Sequence, residues 1–376
     1  MAATLQDVQR AAGAVFTADA PVPDHFGDLA AEYEAARQTA VLVDRSDEGR
    51  VLVSDADRLT IINRMSTNAV ATLAPGEGRA TVFTTPIGRI IDRVILHALD
   101  GEQTLVRTSA GRGELIAVYL RRNIFFRDRM QVQDRTAELA CLALYGPAAG
   151  VVVAALVPGA ASLGRYGVVR ATFQDEPLWV VALDPVGKPV GVPVGEPTGV
   201  PGFGLIAPVN VAGDLWQAVR QAGAASDLRP AGRALYELLR IEAGLPGPAG
   251  ELTEDYIPLE AGLWSDVSFS KGCYTGQEII ARMESRGKLA KTLVGVTLSG
   301  PVEVGMTWSA GGKTQGTLTS AALRPDGTWI GLGFVKPDVA EVGRALDVAN
   351  GVSATITLAP GRDVPGRDVP GRDVSA

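Results

Sequence analysis

Thiols and imidazoles are the scarcest chemistry in this chain: 376 residues hold two cysteines, Cys141 and Cys273, and two histidines, His25 and His97. A four-thiolate iron–sulfur site or a tetrahedral zinc site cannot be assembled within one chain from so few soft ligands. A disulfide framework is excluded as an organising device for the same reason. No window offers the roughly 18 unbroken apolar residues of a membrane span. The opening stretch MAATLQDVQRAAGAVF has an aspartate and no basic segment ahead of an apolar run, which reads as cytoplasmic. The glycine patterns that cradle phosphates are absent, as are the HExxH and GxSxG patterns of metalloproteases and serine hydrolases. A net charge of −7 and a pI near 5.1 argue against nucleic acid or an anionic membrane as the partner.

What is abundant is ordinary core material, with 46% hydrophobic and 20% charged residues, spread over a length that fits two or three domains. DLAAEYEAARQTA predicts an amphipathic helix. The following VLVDRSDEGRVLVSDADRLTIINRMSTNAVATL reads as strand, turn, strand and helix. ATVFTTPIGRIIDRVILHAL and QTLVRTSA, broken at Pro86-Ile87-Gly88 and Asp100-Gly101, predict an antiparallel meander. A helix in GELIAVYLRRNIF and a strand pair in MQVQDRTAELACLALYG come next, with Cys141 as a small core residue of that run. The stretch from about Gly146 to Asn210 reads as short strands and loops, followed by helices in GDLWQAVRQAG and AGRALYELLRIEAG. Beyond Thr292 the short β-rich runs predict a small antiparallel barrel or sandwich, and the terminal PGRDV repeat predicts disorder. Strand pairs and helices without a βαβ rhythm make this an α+β chain.

The stretch FSKGCYTGQEIIARMESRG carries the strongest chemical signal. Thr275 and Glu278 have the spacing of a capping box, Tyr274 and Ile279 that of a hydrophobic staple, and Glu278 and Arg282 that of a favourable ion pair, with Gly287 as the stop. A helix over residues 276–286 follows. Cys273 then precedes a helix N-terminus with Lys271 two residues away, and both influences favour a thiolate, so Cys273 is the candidate reactive thiol. The alternative is an incidental cysteine in a well-capped turn whose neighbours do the chemistry.

KGCYTGQE, residues 271–278, resembles the signature of the YgfZ-type folate-binding proteins that assist iron–sulfur cluster assembly and repair. YIPLEAGLWSDVSF and LRIEAGLP resemble the same family, while VLVDRSDEGRVLVSDADRL, STNAVATLAPGEGRA and LYGPAA resemble the wider superfamily of the glycine-cleavage T-protein, a tetrahydrofolate-dependent aminomethyltransferase. The resemblance implies a three-lobed fold, two α+β domains plus a C-terminal antiparallel β-barrel, around a central channel. It implies an α+β domain from residues 1–47 and 139–246, a second at 48–138, the signature segment at 247–290, the barrel at 291–359 and a tail at 360–376. It also implies a folate ligand, tetrahydrofolate or a derivative, and iron–sulfur assembly proteins or client enzymes as partners. Candidate ligand-binding residues are Lys271, Tyr274, Gln277, Glu278, Arg282, Asp92 and Arg93, beside Cys273.

Three positions depart from the T-protein pattern. IGRIIDRV keeps Asp92 but puts Arg93 where the acting aspartate stands, and an arginine cannot serve as a carboxylate base. PGFGL has Gly204 at the place of a pterin-holding glutamate, and the folate-site arginine falls on Tyr236. These changes argue against ordinary aminomethyl transfer. They leave three expectations: an accessory protein acting through Cys273, a tetrahydrofolate-dependent one-carbon transferase in which Asp92 replaces the missing acid, or a binding module that uses the scaffold without folate.

Overall fold

The computed structural model describes residues 3–17, 20–187, 200–348 and 351–359. Helix α1 (Leu5–Ala11) begins at Thr4, whose hydroxyl accepts from the Asp7 amide while the Asp7 carboxylate accepts from the Thr4 amide. After α2 (Leu29–Gln38), capped by Asp28, the chain enters β1 (Val41–Asp44) and β2 (Glu48–Ser54). Helix α3 (Arg58–Met65) leads to the meander β3 (Gly78–Thr84), β4 (Ile90–Ala98) and β5 (Gln103–Ala110), and α4 (Gly113–Arg122) follows. Strands β6 (Gln131–Asp134) and β7 (Leu139–Tyr145) flank the return to the first lobe. That lobe continues through α5 (Ala149–Leu156), β8 (Val168–Phe173), β9 (Glu176–Val186), β10 (Val200–Pro208), α6 (Ala212–Ala222), β11 (Arg229–Ala231) and α7 (Arg233–Glu242). Helix α8 (Gln277–Arg286) precedes β12 (Thr292–Leu298), β13 (Thr307–Ala310), β14 (Lys313–Leu323), β15 (Trp329–Val335), β16 (Ala345–Val348) and β17 (Ser353–Leu358).

The strands form a six-stranded sheet ordered β11-β1-β7-β10-β9-β8, a five-stranded sheet ordered β3-β4-β5-β2-β6, and a closed antiparallel barrel of β12 to β17. This is an α+β, three-lobed fold. Strand alternation sorts each sheet's side chains onto two faces. In the six-stranded sheet Leu42, Leu142 and Leu144 pack under α5 and α6, whereas Val43, Cys141, Ala143 and Tyr145 face the other way. In the five-stranded sheet Val51, Val94, Leu96 and Val106 pack under α3 and α4. Its opposite face carries Leu105, which joins the inward cluster of the six-stranded sheet, so the two sheets look at each other. Helix α7 is the strut: Leu235 and Leu239 enter that shared cluster, while Leu238 and Ile241 pack with Leu332 and Phe334 of the barrel.

Two expectations about elements are corrected. The strands β6 and β7 are not a pair: β6 joins β2 at one sheet's edge, and β7 lies between β1 and β10 in the other. The stretch after Gly146 contains α5, whose sequence AGVVVAAL has no polar face to reveal a helical period; it is held by burial of Val152 and Val153. The PGRDV repeat lies outside the described residues.

Candidate functional site

A cavity of about 310 Å³ opens where the two sheets face each other, closed by α7 and by the Pro246–Leu252 segment. Its volume falls at the small end of ligand pockets, which run to several hundred Å³. Ile95, Tyr145, Leu183 and Leu252 give it an apolar side. Its other side is ionic, because the inward face of the five-stranded sheet presents Glu48 on β2, Arg93 on β4 and Arg107 on β5.

Arg93 is fully engaged. Its Nε donates to Asp266 Oδ2 at 2.6 Å, Nη1 to Asp184 Oδ2 at 2.7 Å, and Nη2 to the Tyr166 hydroxyl at 2.9 Å. Burial alone would push the Arg93 pKa down; the Asp184 and Asp266 carboxylates outweigh it and hold it well above its ordinary value. Burial would likewise raise Asp184, but Arg93 and the Tyr166 hydroxyl hold it below the usual carboxylate range. A second ionic group lies alongside. Glu48 accepts from Arg45 Nη2 through Oε1 at 2.6 Å and from Arg107 Nη2 through Oε2 at 2.5 Å. Against the effect of burial, these two cations keep Glu48 below its ordinary pKa.

The three departure positions behave differently in space. Arg93 brings its own two acids. At Gly204, in β10, a Cβ would lie 2.9 Å from Val181 Cγ2 and 3.2 Å from Leu183 Cδ2, so the aliphatic lining has filled the room of a longer side chain. The Tyr236 ring carries the Arg45 guanidinium 3.3 Å above its centroid, which places a cation beside position 236 from the turn after β1.

Asp92 cannot stand in for the acid at position 93. It points to the opposite side of β4, is fully buried, and accepts from the Ser109 hydroxyl at 2.6 Å and the Ser109 amide at 3.0 Å. Burial pushes its pKa up to about 6 against those two hydrogen bonds.

The KGCYTGQE stretch and α8 build a separate place. Of their residues, Lys271, Cys273, Tyr274, Gln277, Glu278 and Arg282 lie outside the cavity lining. The Lys271 ammonium donates to the carbonyl oxygens of Asn63, Ser66 and Asn68 at 2.5, 2.7 and 2.7 Å, fastening the segment to the end of α3. Burial lowers its pKa to about 8. The Thr275 amide donates to the Arg64 carbonyl at 3.1 Å, and the Thr84 hydroxyl donates to the Thr275 carbonyl at 2.7 Å. Cys273 is exposed on this loop, whereas Cys141 is buried, with its pKa pushed up to about 11 by that burial.

The start of α8 also differs from expectation. Gly276 is the N-cap, at φ +82°, and no side chain caps the helix, so the Thr275–Glu278 box does not form. A left-handed residue there lets the chain pass Gly88, whose Cα would lie 2.8 Å from a Cβ at 276. Gln277 takes over locally: its Oε1 accepts from the Tyr274 amide at 3.3 Å. Tyr274 packs on Ile280 rather than Ile279, together with Ile257, Leu259 and Val267. Glu278 and Arg282 meet at 3.5 Å in the open, and Gly287 ends the helix in the left-handed region.

The model of the GCVT N-terminal domain family matches residues 5–271. The chain belongs to the GCVT family. Over 322 residues it is 32% identical to the chloroplastic protein named "Putative transferase At1g60990" of Arabidopsis thaliana, covering 85% of this chain and 71% of that one. Over 361 residues it is 32% identical to an aminomethyltransferase of Cutibacterium acnes, with 92% of each chain covered. In fold, this GCVT member is similar to the crystal structure of the glycine cleavage system aminomethyltransferase T of Bartonella henselae. The TM-score is 0.80 at 22% identity, over 95% of this chain and 96% of that one. The ionic residues Glu48, Arg45, Arg107, Asp184 and Asp266 were absent from the candidates drawn from the sequence. Glu48, Arg107 and Asp184 stand in strands and Arg45 and Asp266 outside them, and no local pattern separates any of the five from a charge that faces solvent.

Proposed function

We propose that this GCVT-family chain binds a reduced folate in the cavity between its sheets and acts as an accessory protein of iron–sulfur cluster assembly or repair. The observation that carries the folate half is the cavity itself, apolar on one side and ionic on the other, with buried donor atoms on Arg45 and Arg107 that no acceptor among the described residues meets. The flat rings of a folate suit Ile95, Leu183 and Tyr145; its charged or carbonyl oxygens suit the arginines. When bound, a reduced folate supplies a one-carbon unit; this chain's residues would bind and orient it and keep water from it. The neutralised arginine at position 93 and the sealed Asp92 leave no carboxylate at the acid's place, which speaks against transfer by the T-protein route.

The iron–sulfur half rests on the KGCYTGQE resemblance and on the exposure of Cys273. Among the described residues no three histidine, cysteine, aspartate or glutamate side chains group to hold a metal ion. A cluster at Cys273 would therefore draw its remaining ligands from an assembly protein or client enzyme. The second reading, a tetrahydrofolate-dependent one-carbon transferase, is favoured by the aminomethyltransferase relative that matches across 92% of the chain.

A thermal-shift titration of the full chain with tetrahydrofolate and 5-formyl-tetrahydrofolate tests the folate half, since a ligand selective for the native state must raise Tm with concentration. No shift with either would sink it. Cluster-dependent enzyme activities in cells carrying only the Cys273→Ser protein test the other half; unchanged activities would remove the thiol from the function. Folate-dependent release of the aminomethyl group from a lipoyl carrier would favour the transferase.

A further inference from the structure

The cavity floor holds more buried N–H groups than the protein satisfies. Arg45 and Arg107 each spend Nη2 on one oxygen of Glu48. Arg45 Nη1 and Arg107 Nε and Nη1 remain buried without a hydrogen-bond partner among the described residues. Neither side chain is free to reach bulk water: the residues are 8% and 6% exposed. Arg45 is pressed on the Tyr236 ring, and Arg107 sits mid-strand between Arg50 on β2 and Ile95 on β4. A buried polar group with an unmade hydrogen bond bears its full desolvation cost, and a charged one bears more. Two guanidinium groups also share a single carboxylate. The next acid, Asp47, holds its Oδ1 3.9 Å from Arg45 Nε, beyond hydrogen-bond reach. Two residues that line the cavity thus carry unmatched buried donors, with Asp47 offsetting part of the Arg45 charge.

We propose that Arg45 and Arg107 form a subsite for a negatively polarised oxygen of the cavity's ligand, shared between the two guanidinium groups and held in line by Glu48. Resting on the folate reading, this makes the occupant either the 4-oxo group of the pterin or a carboxylate of the glutamyl tail. Both offer the acceptor oxygen that the free N–H groups lack. Glu48 is a positioning residue here: it fixes both arginines and contacts no ligand itself.

The experiment is calorimetric titration of the full chain with 5-formyl-tetrahydrofolate, pteroic acid and p-aminobenzoyl-glutamate. Wild type is compared with Arg107→Lys, which keeps a cation for Glu48, and with the charge-balanced pair Glu48→Gln and Arg107→Gln. At least a tenfold loss of 5-formyl-tetrahydrofolate affinity is expected in both variants, with Tm within a few degrees of wild type. The source is read from the fragments. If the variants lose pteroic acid binding, the pterin oxygen is the occupant; if they lose p-aminobenzoyl-glutamate, the tail carboxylate is. Wild-type affinity in a variant that keeps its Tm overturns the subsite. Should the wild type bind no folate, that reading fails alone, and the subsite is then tested by raising sulfate at constant ionic strength. A Tm rise larger in wild type than in Arg107→Lys supports it, and equal rises overturn it.

Discussion

Arg93 on β4 and Asp184 on β9 meet across the gap between the two sheets, with Nη1 to Oδ2 at 2.7 Å and Nη2 to Oδ1 at 3.2 Å. Two parallel N–H to oxygen contacts make this a planar clamp joining the lobes, and Asp266 from the segment before the signature closes it from a third direction. The position that would hold a catalytic acid in the resemblance drawn from the sequence has become a cross-lobe rivet.

Removing that rivet takes the main cation from both Asp184 and Asp266, leaving Asp184 only Arg165, whose Nη2 lies 3.9 Å from its Oδ1. Arg93→Met is expected to lose about 3–5 kcal/mol of stability at pH 7, the scale of breaking one side of a buried pair. In the wild type Asp184 has a lowered pKa, so its contribution is present above the unfolded value and lost as pH falls through the folded one. In the variant burial loses its main opponent, with only the Tyr166 hydroxyl and the more distant Arg165 still acting against it, so the Asp184 pKa rises and the deficit shrinks as pH falls and the carboxylate takes a proton. Urea unfolding at pH 7 and pH 4 reads this directly; a gap that stays constant with pH would contradict the pairing.

Asp92 offers the opposite sign. The folded state keeps its proton up to about 6 whereas the unfolded chain releases it near 3.8, so the wild type loses stability as pH rises through that interval. Asp92→Asn has no proton to lose. At pH 4 the two should be close in stability, because a protonated carboxyl and an amide each set one acceptor oxygen and one donor against Ser109. The variant is expected to gain on wild type from pH 4 to pH 6, and parallel stability curves would show that Asp92 is ionised throughout.

How much of this was legible in the sequence depends on which partner decides each residue's fate. The meander, the amphipathic helices α2, α4, α6 and α7, and the barrel follow from local period and turn chemistry, which the chain carries in itself. Arg107 shows where that ends. In QTLVRTSA it takes the polar side of an alternating strand, and alternation says only that it lies opposite Val106. Whether the polar side meets water or a second sheet is a tertiary fact, here settled by β7 and β9 of a lobe assembled from distant segments. The same limit applied at Gly276: the Thr275–Glu278 spacing is right for a capping box, but Gly88 approaches so closely that the turn goes left-handed and the box is lost.

That turn makes a paired test. Gly276→Ala puts a Cβ 2.8 Å from Gly88 Cα and 2.8 Å from the Thr85 carbonyl oxygen at a positive φ. A loss of at least about 1–2 kcal/mol is expected from the backbone conformation alone. Glu278→Ala removes only an exposed pair with Arg282, worth less than about 0.5 kcal/mol. If Glu278→Ala were the more damaging in thermal unfolding, a capping role for that carboxylate would have to be restored.

The two cysteines should separate cleanly by reagent access. Cys273 is exposed on the loop that Lys271 fastens to α3, while Cys141 lies inside the six-stranded sheet with its thiol pKa pushed up to about 11. A disulfide reagent in excess should titrate one thiol in the native protein and two in denaturant, because a buried, protonated thiol reacts only on unfolding. Cys273→Ser should leave no native thiol to titrate and shift stability by less than about 0.5 kcal/mol, as expected of a surface change that breaks no packing. Two thiols titrating in the native state would place Cys141 in a lobe that opens. Any loss of cluster-dependent activity in the stable Cys273→Ser protein must then come from the sulfur itself, since its fold and its cavity are untouched.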